Sequence, residues 1–183
     1  NLFKYFRNPE TGQLWGERTV QLTCGDDEVE REVSLSNIIE QRGGGGIEPY
    51  YEISSPKVRQ TVRNHFDCQE LTGARLAASL PHSNDDNCIP FNLDLRFHFD
   101  EDMTAISQNA DAAFAVSPLS LALLEDSSWY KANFSAATTP TFGRGAGCGF
   151  LGGECVTSGK IPDYSEGFFC ASSDETGYRS GCD

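Results

Sequence analysis

Residues 117–155, SPLSLALLEDSSWYKANFSAATTPTFGRGAGCGFLGGEC, contain the change of composition that decides the fold of this chain. The stretch opens with Ser117 and Pro118, a helix N-cap residue followed by proline in the first turn. It is apolar on most sides until Glu125 and Asp126, and after Tyr130 glycine, serine, threonine and cysteine dominate. Because such a composition builds only a small core, disulfides must stabilise it. We therefore expect a helical core element up to about residue 130 and a cysteine-rich, loop-dominated region beyond it.

A second Ser-Pro pair predicts another helix. Ser55 and Pro56 open a segment whose apolar residues recur at i, i+4 and i+8, and we expect it to end near Cys68. The apolar face consists of Val58, Val62 and Phe66. His65 lies beside this face, where a histidine is more often packed and hydrogen-bonded than bound to a metal.

Other local patterns predict turns and strands. Residues 8–12 favour a turn, residues 19–24 a short strand, and the four glycines at 43–46 a hinge or tight loop. Residues 93–100 alternate apolar and polar side chains without interruption, which predicts a half-buried strand. His98 would then lie on the polar face, in solvent or among charged side chains.

Charge and hydropathy exclude two classes of function. The chain has 183 residues, with 14 Lys and Arg against 27 Asp and Glu, a formal net charge of −13. Phosphate binding relies on clustered basic side chains, so we expect no nucleic-acid partner. The longest apolar stretch, residues 119–124, is far shorter than the roughly 20 residues of a membrane span. We expect no transmembrane segment in this chain.

Seven cysteines without a C-x-x-C spacing favour a disulfide framework in an oxidising compartment. The candidates are Cys24, Cys68, Cys88, Cys148, Cys155, Cys170 and Cys182. Cys148 and Cys155 could close a short loop, although sequence alone does not fix the pairing. The odd count leads us to expect a partner outside the chain or a free thiol. An N-glycosylation sequon at Asn133 agrees with an extracellular or cell-surface protein that carries a glycan there.

Several motifs resemble the leishmanolysin-type metallopeptidases. These are residues 117–155, the segment NHFDCQELTG at 64–73 and the segment DEDMTA at 100–105. The opening NLFKYFRNPETGQ is similar to the stretch that follows the zinc-binding helix in that family. No H-E-x-x-H occurs in the sequence, so two zinc ligands and the general-base glutamate are absent from it. We therefore expect further protein on both sides of this segment.

The resemblance implies an α+β fold with two regions. Residues 1–130 would form the helical lower lobe of a metzincin-like catalytic unit, and residues 131–183 would begin a small disulfide-rich, loop-dominated domain. Met103 would be the methionine of the turn beneath the metal. The family usually has its third zinc-binding histidine eleven residues before that methionine, and this position is Asn92.

Asparagine offers zinc a neutral amide oxygen, which is a poorer ligand than imidazole nitrogen. We therefore expect that zinc, the cofactor of the family, is not bound by this chain. Two alternatives for the third ligand are His98 and His82. A carboxylate cluster could instead bind calcium, although no EF-hand spacing is present and a solvated acidic surface is favoured. The cluster consists of Asp85, Asp86, Asp100, Glu101 and Asp102.

Two hypotheses of function follow. In the first, the chain is part of a secreted or cell-surface zinc metalloendopeptidase that cleaves peptides or proteins, and this version is impaired at Asn92. In the second, it is part of a non-catalytic structural or adhesive glycoprotein, built on a degenerate peptidase fold and in contact with neighbouring protein subunits.

Overall fold

The strands form two antiparallel sheets, and all of them except the last precede the first helix. Strands β1 (Glu17–Cys24) and β2 (Asp27–Ser34) form a hairpin, and β3 (Ile39–Gly44), β4 (Ile47–Ile53) and β5 (Ala74–Arg75) form a sheet in the order β3-β4-β5. The strand expected at residues 19–24 is confirmed. Of the hinge or tight loop expected at residues 43–46, the first two residues belong to β3 and the other two lie outside the described residues. The computed structural model describes residues 5–15, 17–24, 27–34, 38–44, 47–77, 92–104 and 116–169.

The first helix, α1 (Pro56–Phe66), follows the sequence prediction. Val58, Val62 and Phe66 are at most 2% exposed, so the i, i+4, i+8 pattern marks the buried face. The helix ends at Asp67, whose φ of 54° is left-handed and allows its N–H to donate to Arg63.

The second helix, α2 (Pro118–Asp126), also begins where the Ser-Pro signal places it. The Ser117 hydroxyl accepts a hydrogen bond from Ser120 N at 3.0 Å, as an N-cap residue does. The helix ends four residues before Tyr130, because Ser128 adopts a positive φ of 58° and breaks the helical path.

A carboxylate at the end of α2 binds the start of α1. Ser55 makes no side-chain cap on α1, and Asp126 Oδ2 instead accepts from the backbone N–H groups of Lys57 at 2.8 Å and Val58 at 3.1 Å. These N–H groups have no partner within a helix, so a negatively charged acceptor stabilises the start of α1. The Lys57 ammonium also pairs with Glu125 at 2.7 Å.

The prediction of a strand at residues 93–100 is wrong. The chain turns there, and both Phe97 N and His98 N donate to Asp94 O, at 3.0 and 2.9 Å. Asp94 Oδ1 also accepts from Arg96 N at 2.9 Å. An aspartate that bonds the backbone two residues on competes with a strand ladder. The alternation of apolar and polar residues therefore does not correspond to a buried and an exposed face. The polar His98 is only 5% exposed, whereas the apolar Phe99 is 41% exposed.

A disulfide joins Cys68, just after α1, to Cys148 in α3 (Gly147–Gly152), across 80 residues of sequence. The short loop considered between Cys148 and Cys155 is therefore wrong, and Cys155 is a free thiol within the described ranges. The remaining candidates cannot be assigned to pairs: the side chain of Cys24 and the whole of Cys88, Cys170 and Cys182 lie outside the described residues.

The core joins the N-terminal segment, the sheet β3-β4-β5 and the three α-helices, in agreement with an α+β fold. Its fully buried apolar side chains come from the N-terminal segment, β4, α1, the segment beyond β5, residue 93 and α3: Phe6, Ile53, Val58, Val62, Phe66, Leu76, Leu93 and Phe150. Aromatic rings carry the core into the region after α2, where Phe150 stacks on Phe66 with centroids 5.9 Å apart.

Candidate metal centre

The turn that contains Met103 lies beside residue 92. Leu93 N donates to Met103 O at 2.9 Å, and Leu93 forms a parallel bridge with Thr104. On the other side Ala77 N donates to Asn92 O, also at 2.9 Å. Residues 92 and 93 are thus held by backbone hydrogen bonds between the turn and the segment that follows β5.

The turn itself is closed by Thr104. Its backbone N–H and its hydroxyl both donate to Glu101 O, at 3.3 and 2.9 Å. Met103 is half-buried and packs against the core. The methionine therefore offers an apolar surface in a fixed turn next to Asn92.

Asn92 is exposed. Its carbonyl is used by Ala77, whereas its side chain supplies a neutral amide. An amide oxygen suits hard cations with many oxygen ligands better than zinc, which prefers imidazole and thiolate.

The histidines occupy other environments. His65 Nε2 donates to Phe142 O at 2.8 Å, which confirms that this histidine is packed and hydrogen-bonded. His98, expected in solvent, is instead buried with its ring 5.7 Å from that of Phe66. Burial, with a smaller contribution from His65, lowers the pKa of His98 to about 3, so its ring is neutral at physiological pH. His82 lies outside the described residues.

The three described residues of the acidic cluster are not all solvated, although the sequence favoured a solvated surface. Asp102 is exposed, but Asp100 Oδ2 accepts from Thr141 N at 2.7 Å and Phe142 N at 3.0 Å, and Glu101 is only 5% exposed. Packing of the following segments against the turn buries Glu101 and leaves Asp100 half-buried. Asp85 and Asp86 lie outside the described ranges.

Burial raises the pKa of Glu101 to about 7. A hydrogen bond from the Ser117 hydroxyl opposes this effect, and the charges of Asp100 and Asp102 add to it. Sequence reasoning did not single out Glu101. Three consecutive acidic residues look alike in sequence, and only the packing of α2 on the turn distinguishes the buried one.

The described residues do not fit a zinc site. Within these ranges no three His, Cys, Asp or Glu side chains are grouped so that they could hold a metal ion. The side chain next to the methionine turn is an amide, and the two described histidines are hydrogen-bonded or buried elsewhere.

Comparison with known proteins identifies the family. A sequence profile of the family described as leishmanolysin matches residues 38–183. The leishmanolysin-like peptidases of Drosophila pseudoobscura pseudoobscura and Drosophila melanogaster are each 32% identical over 149 residues, which cover 81% of this chain. The leishmanolysin homolog of Crithidia fasciculata is 35% identical over 104 residues, or 57% of this chain.

These matches show that the chain belongs to the leishmanolysin family of metallopeptidases. The matching segment spans about a fifth of the length of the two fly relatives, 21% in each case, and 15% of the Crithidia protein. No helix in the described part of the chain is long and apolar enough to span a bilayer.

Proposed function

We propose that this chain is part of a secreted or cell-surface leishmanolysin-type zinc metalloendopeptidase whose metal site is impaired at Asn92. Residues 1–130 belong to a metzincin-like catalytic lobe, and residues 131–183 begin a cysteine-rich domain. Peptides or proteins are the substrates, as in the peptidase family to which the chain belongs.

One observation carries the proposal: the hydrogen bond between Leu93 N and Met103 O, 2.9 Å long. It keeps residue 92 next to the single methionine of the chain, the arrangement that a zinc ligand above a methionine turn requires. The eleven-residue spacing in sequence thus corresponds to proximity in space. Because residue 92 is an exposed asparagine, the position is accessible but carries the wrong donor atom.

Loss of this ligand is sufficient to impair the site. Removing a group that merely orients a zinc ligand costs about 10- to 100-fold in metal affinity, and we expect replacement of the ligand itself to cost more. The family's activity, zinc-assisted peptide hydrolysis, requires a bound metal to activate water. We therefore expect the full-length protein to hydrolyse peptides poorly even when the rest of the site is intact.

The test is the peptidase activity of the full-length protein on a fluorogenic peptide library with zinc present. We expect little activity from the natural protein and at least a tenfold increase from Asn92→His, since the substitution restores an imidazole donor. The matched control is Asn64→His, an equally exposed asparagine on α1. Full activity of the natural protein, abolished by Asn92→His, would contradict the proposal.

A second candidate function is that of a non-catalytic extracellular glycoprotein. Asn133 and Ser135 are both exposed, and Asn133 Oδ1 accepts from the Ser135 hydroxyl at 2.7 Å and from Ser135 N at 3.2 Å. The sequon thus lies at the surface, where a glycan can be attached and can face neighbouring subunits.

This candidate predicts that the secreted protein carries an N-linked glycan. Treatment with peptide N-glycosidase should lower its mass by one glycan, and Asn133→Gln should remove that shift because the acceptor amide is gone. Asn8→Gln, outside any sequon, serves as the control. An intact mass free of glycan after passage through the secretory pathway would refute glycosylation at this site.

A further inference from the structure

A cavity of about 300 Å³ lies between α1, residues 98–101, the start of α2 and residues 134–144. This volume corresponds to about ten water molecules and lies at the lower end of the range, roughly 300–1,000 Å³, of ligand pockets. Its buried lining includes Phe66, His98 and Glu101, and its exposed lining includes Asn64, Phe134 and Arg144. Neither Asn92 nor Met103 lines it.

Glu101 is the unusual member of this lining. The residue is only 5% exposed. The Ser117 hydroxyl donates to its carboxylate, but Oε2 has no hydrogen-bond partner in the described part of the chain. Buried carboxylates are normally paired or fully hydrogen-bonded, because isolated burial is costly. The neighbouring charges of Asp100 and Asp102 make the environment more negative still, as the raised pKa of Glu101 reflects.

The rest of the lining suits a ligand with a short alkyl stem and a positive head. Val62, Phe66 and Leu119 are apolar walls that can contact methylene groups. The ring of His98 is neutral at physiological pH and therefore does not repel a cation. A charge-assisted hydrogen bond from an N–H donor would satisfy the carboxylate that the protein leaves incompletely paired.

We propose that this cavity binds an alkylammonium or alkylguanidinium group, with Glu101 as its counter-charge. The group belongs either to a free small amine or to a lysine or arginine side chain of a peptide. Binding in this cavity requires no zinc, so the proposal does not depend on the state of the metal site.

Isothermal titration of the full-length protein with matched probes tests the chemistry. We expect n-butylammonium and n-butylguanidinium to bind at least about tenfold more tightly than n-butanol, since only the cations form a charge-assisted hydrogen bond. Butyrate should not bind. N-acetyl-lysine methylamide should bind more tightly than its norleucine analogue, and its affinity relative to n-butylammonium distinguishes a peptide source from a free amine. Equal binding of butanol and butylammonium, or preferential binding of butyrate, would overturn the proposal.

Two variants and one control variant locate the site. Glu101→Gln keeps the shape of the side chain and should remove the preference for the cation, whereas Asp102→Asn, an exposed neighbour, should keep most of it. Arg144→Gln removes a like charge from the exposed lining and should tighten cation binding about two- to threefold. Since Arg144 is exposed, this variant gives a result even if Glu101→Gln unfolds the protein. Unchanged binding in Glu101→Gln, or weaker binding in Arg144→Gln, would show that the cations bind elsewhere.

Discussion

Two buried ionisable side chains, Glu101 and His98, lie in one turn, where Glu101 N donates to His98 O at 3.2 Å. Burial is the largest cause of the pKa shift in both, and it favours the neutral form of each. For Glu101 the neutral form is the protonated one, so its pKa rises to about 7; for His98 it is the deprotonated one, so its pKa falls to about 3. The two residues therefore give the stability of the fold opposite pH dependences.

At the residue scale we predict that Glu101→Gln removes a loss of stability that the natural protein shows between about pH 4.5 and pH 7. Between the ordinary pKa of 4.5 and the folded pKa of about 7, the folded protein binds more protons at Glu101 than the unfolded one. The free energy of unfolding therefore falls as pH rises through this window, by up to about 3 kcal/mol. Because glutamine does not titrate, the free energy of unfolding of the variant does not fall for this reason.

Urea unfolding of the natural protein and the variant at pH 5 and pH 8 measures the effect. From pH 5 to pH 8, we expect the free energy of unfolding of the variant to rise by about 1–3 kcal/mol relative to that of the natural protein. For Asp102→Asn, at an exposed position, this relative change in the free energy of unfolding should be close to zero. Parallel profiles for the natural protein and Glu101→Gln would mean that Glu101 is ionised without cost.

At the scale of elements, two hydrogen bonds hold a loop after α2 against α1. His65 Nε2 donates to Phe142 O and Gly145 N donates to His65 O, both at 2.8 Å. Between these contacts Gly143 adopts a φ of +71° with its Cα against the ring of Phe66. A Cβ at Gly143 would approach Phe66 Cε1 to 2.6 Å, closer than any ordinary contact. Only glycine fits both the backbone angle and the space.

We predict that Gly143→Ala lowers the free energy of unfolding by about 2–5 kcal/mol. The left-handed backbone costs about 1–2 kcal/mol for alanine, and crowding against Phe66 adds roughly 1–3 kcal/mol. Gly145→Ala is a matched control, because Gly145 has the same φ of +71° and nothing within 4 Å of its Cβ position. Denaturant unfolding should show a smaller loss in the control, and equal losses would contradict the assigned contact with Phe66.

The elements also show which parts of the fold the sequence could predict. Both Ser-Pro helix starts and the buried face of α1 followed from local signals, because capping and periodicity act within a few residues. Residues 93–100 do not form the strand that their alternating pattern predicts, because the Asp94 side chain accepts a hydrogen bond from the local backbone and tertiary packing buries His98. The pairing of Cys68 with Cys148 and the burial of Glu101 depend on contacts between segments far apart in sequence, which composition and spacing do not encode.

At the scale of the whole molecule, long-range contacts join the beginning of the described chain to the residues that follow α2. Arg7 N donates to Ser127 O at 3.0 Å, and Trp129 Nε1 donates to Tyr5 O at 2.7 Å. The disulfide Cys68–Cys148 then fixes the region after α2 to α1. A covalent link across 80 residues removes much conformational freedom from the unfolded chain.

We predict that replacing both Cys68 and Cys148 by serine lowers the free energy of unfolding by about 2–5 kcal/mol. Cys155→Ser, which removes a free thiol, should change it by less than about 1 kcal/mol. Chemical denaturation under non-reducing conditions compares the variants. A loss for Cys155→Ser as large as that of the double variant would indicate that Cys155 forms the important bond.

The account as a whole depends on the donor at residue 92, and zinc affinity tests it most directly. Competition with a chromophoric chelator should show that the full-length natural protein binds zinc at least about 100-fold more weakly than its Asn92→His variant, because an amide stands beside Met103 in place of an imidazole. Tight binding of one zinc ion per chain by the natural protein, unchanged by Asn92→His, would contradict this assignment.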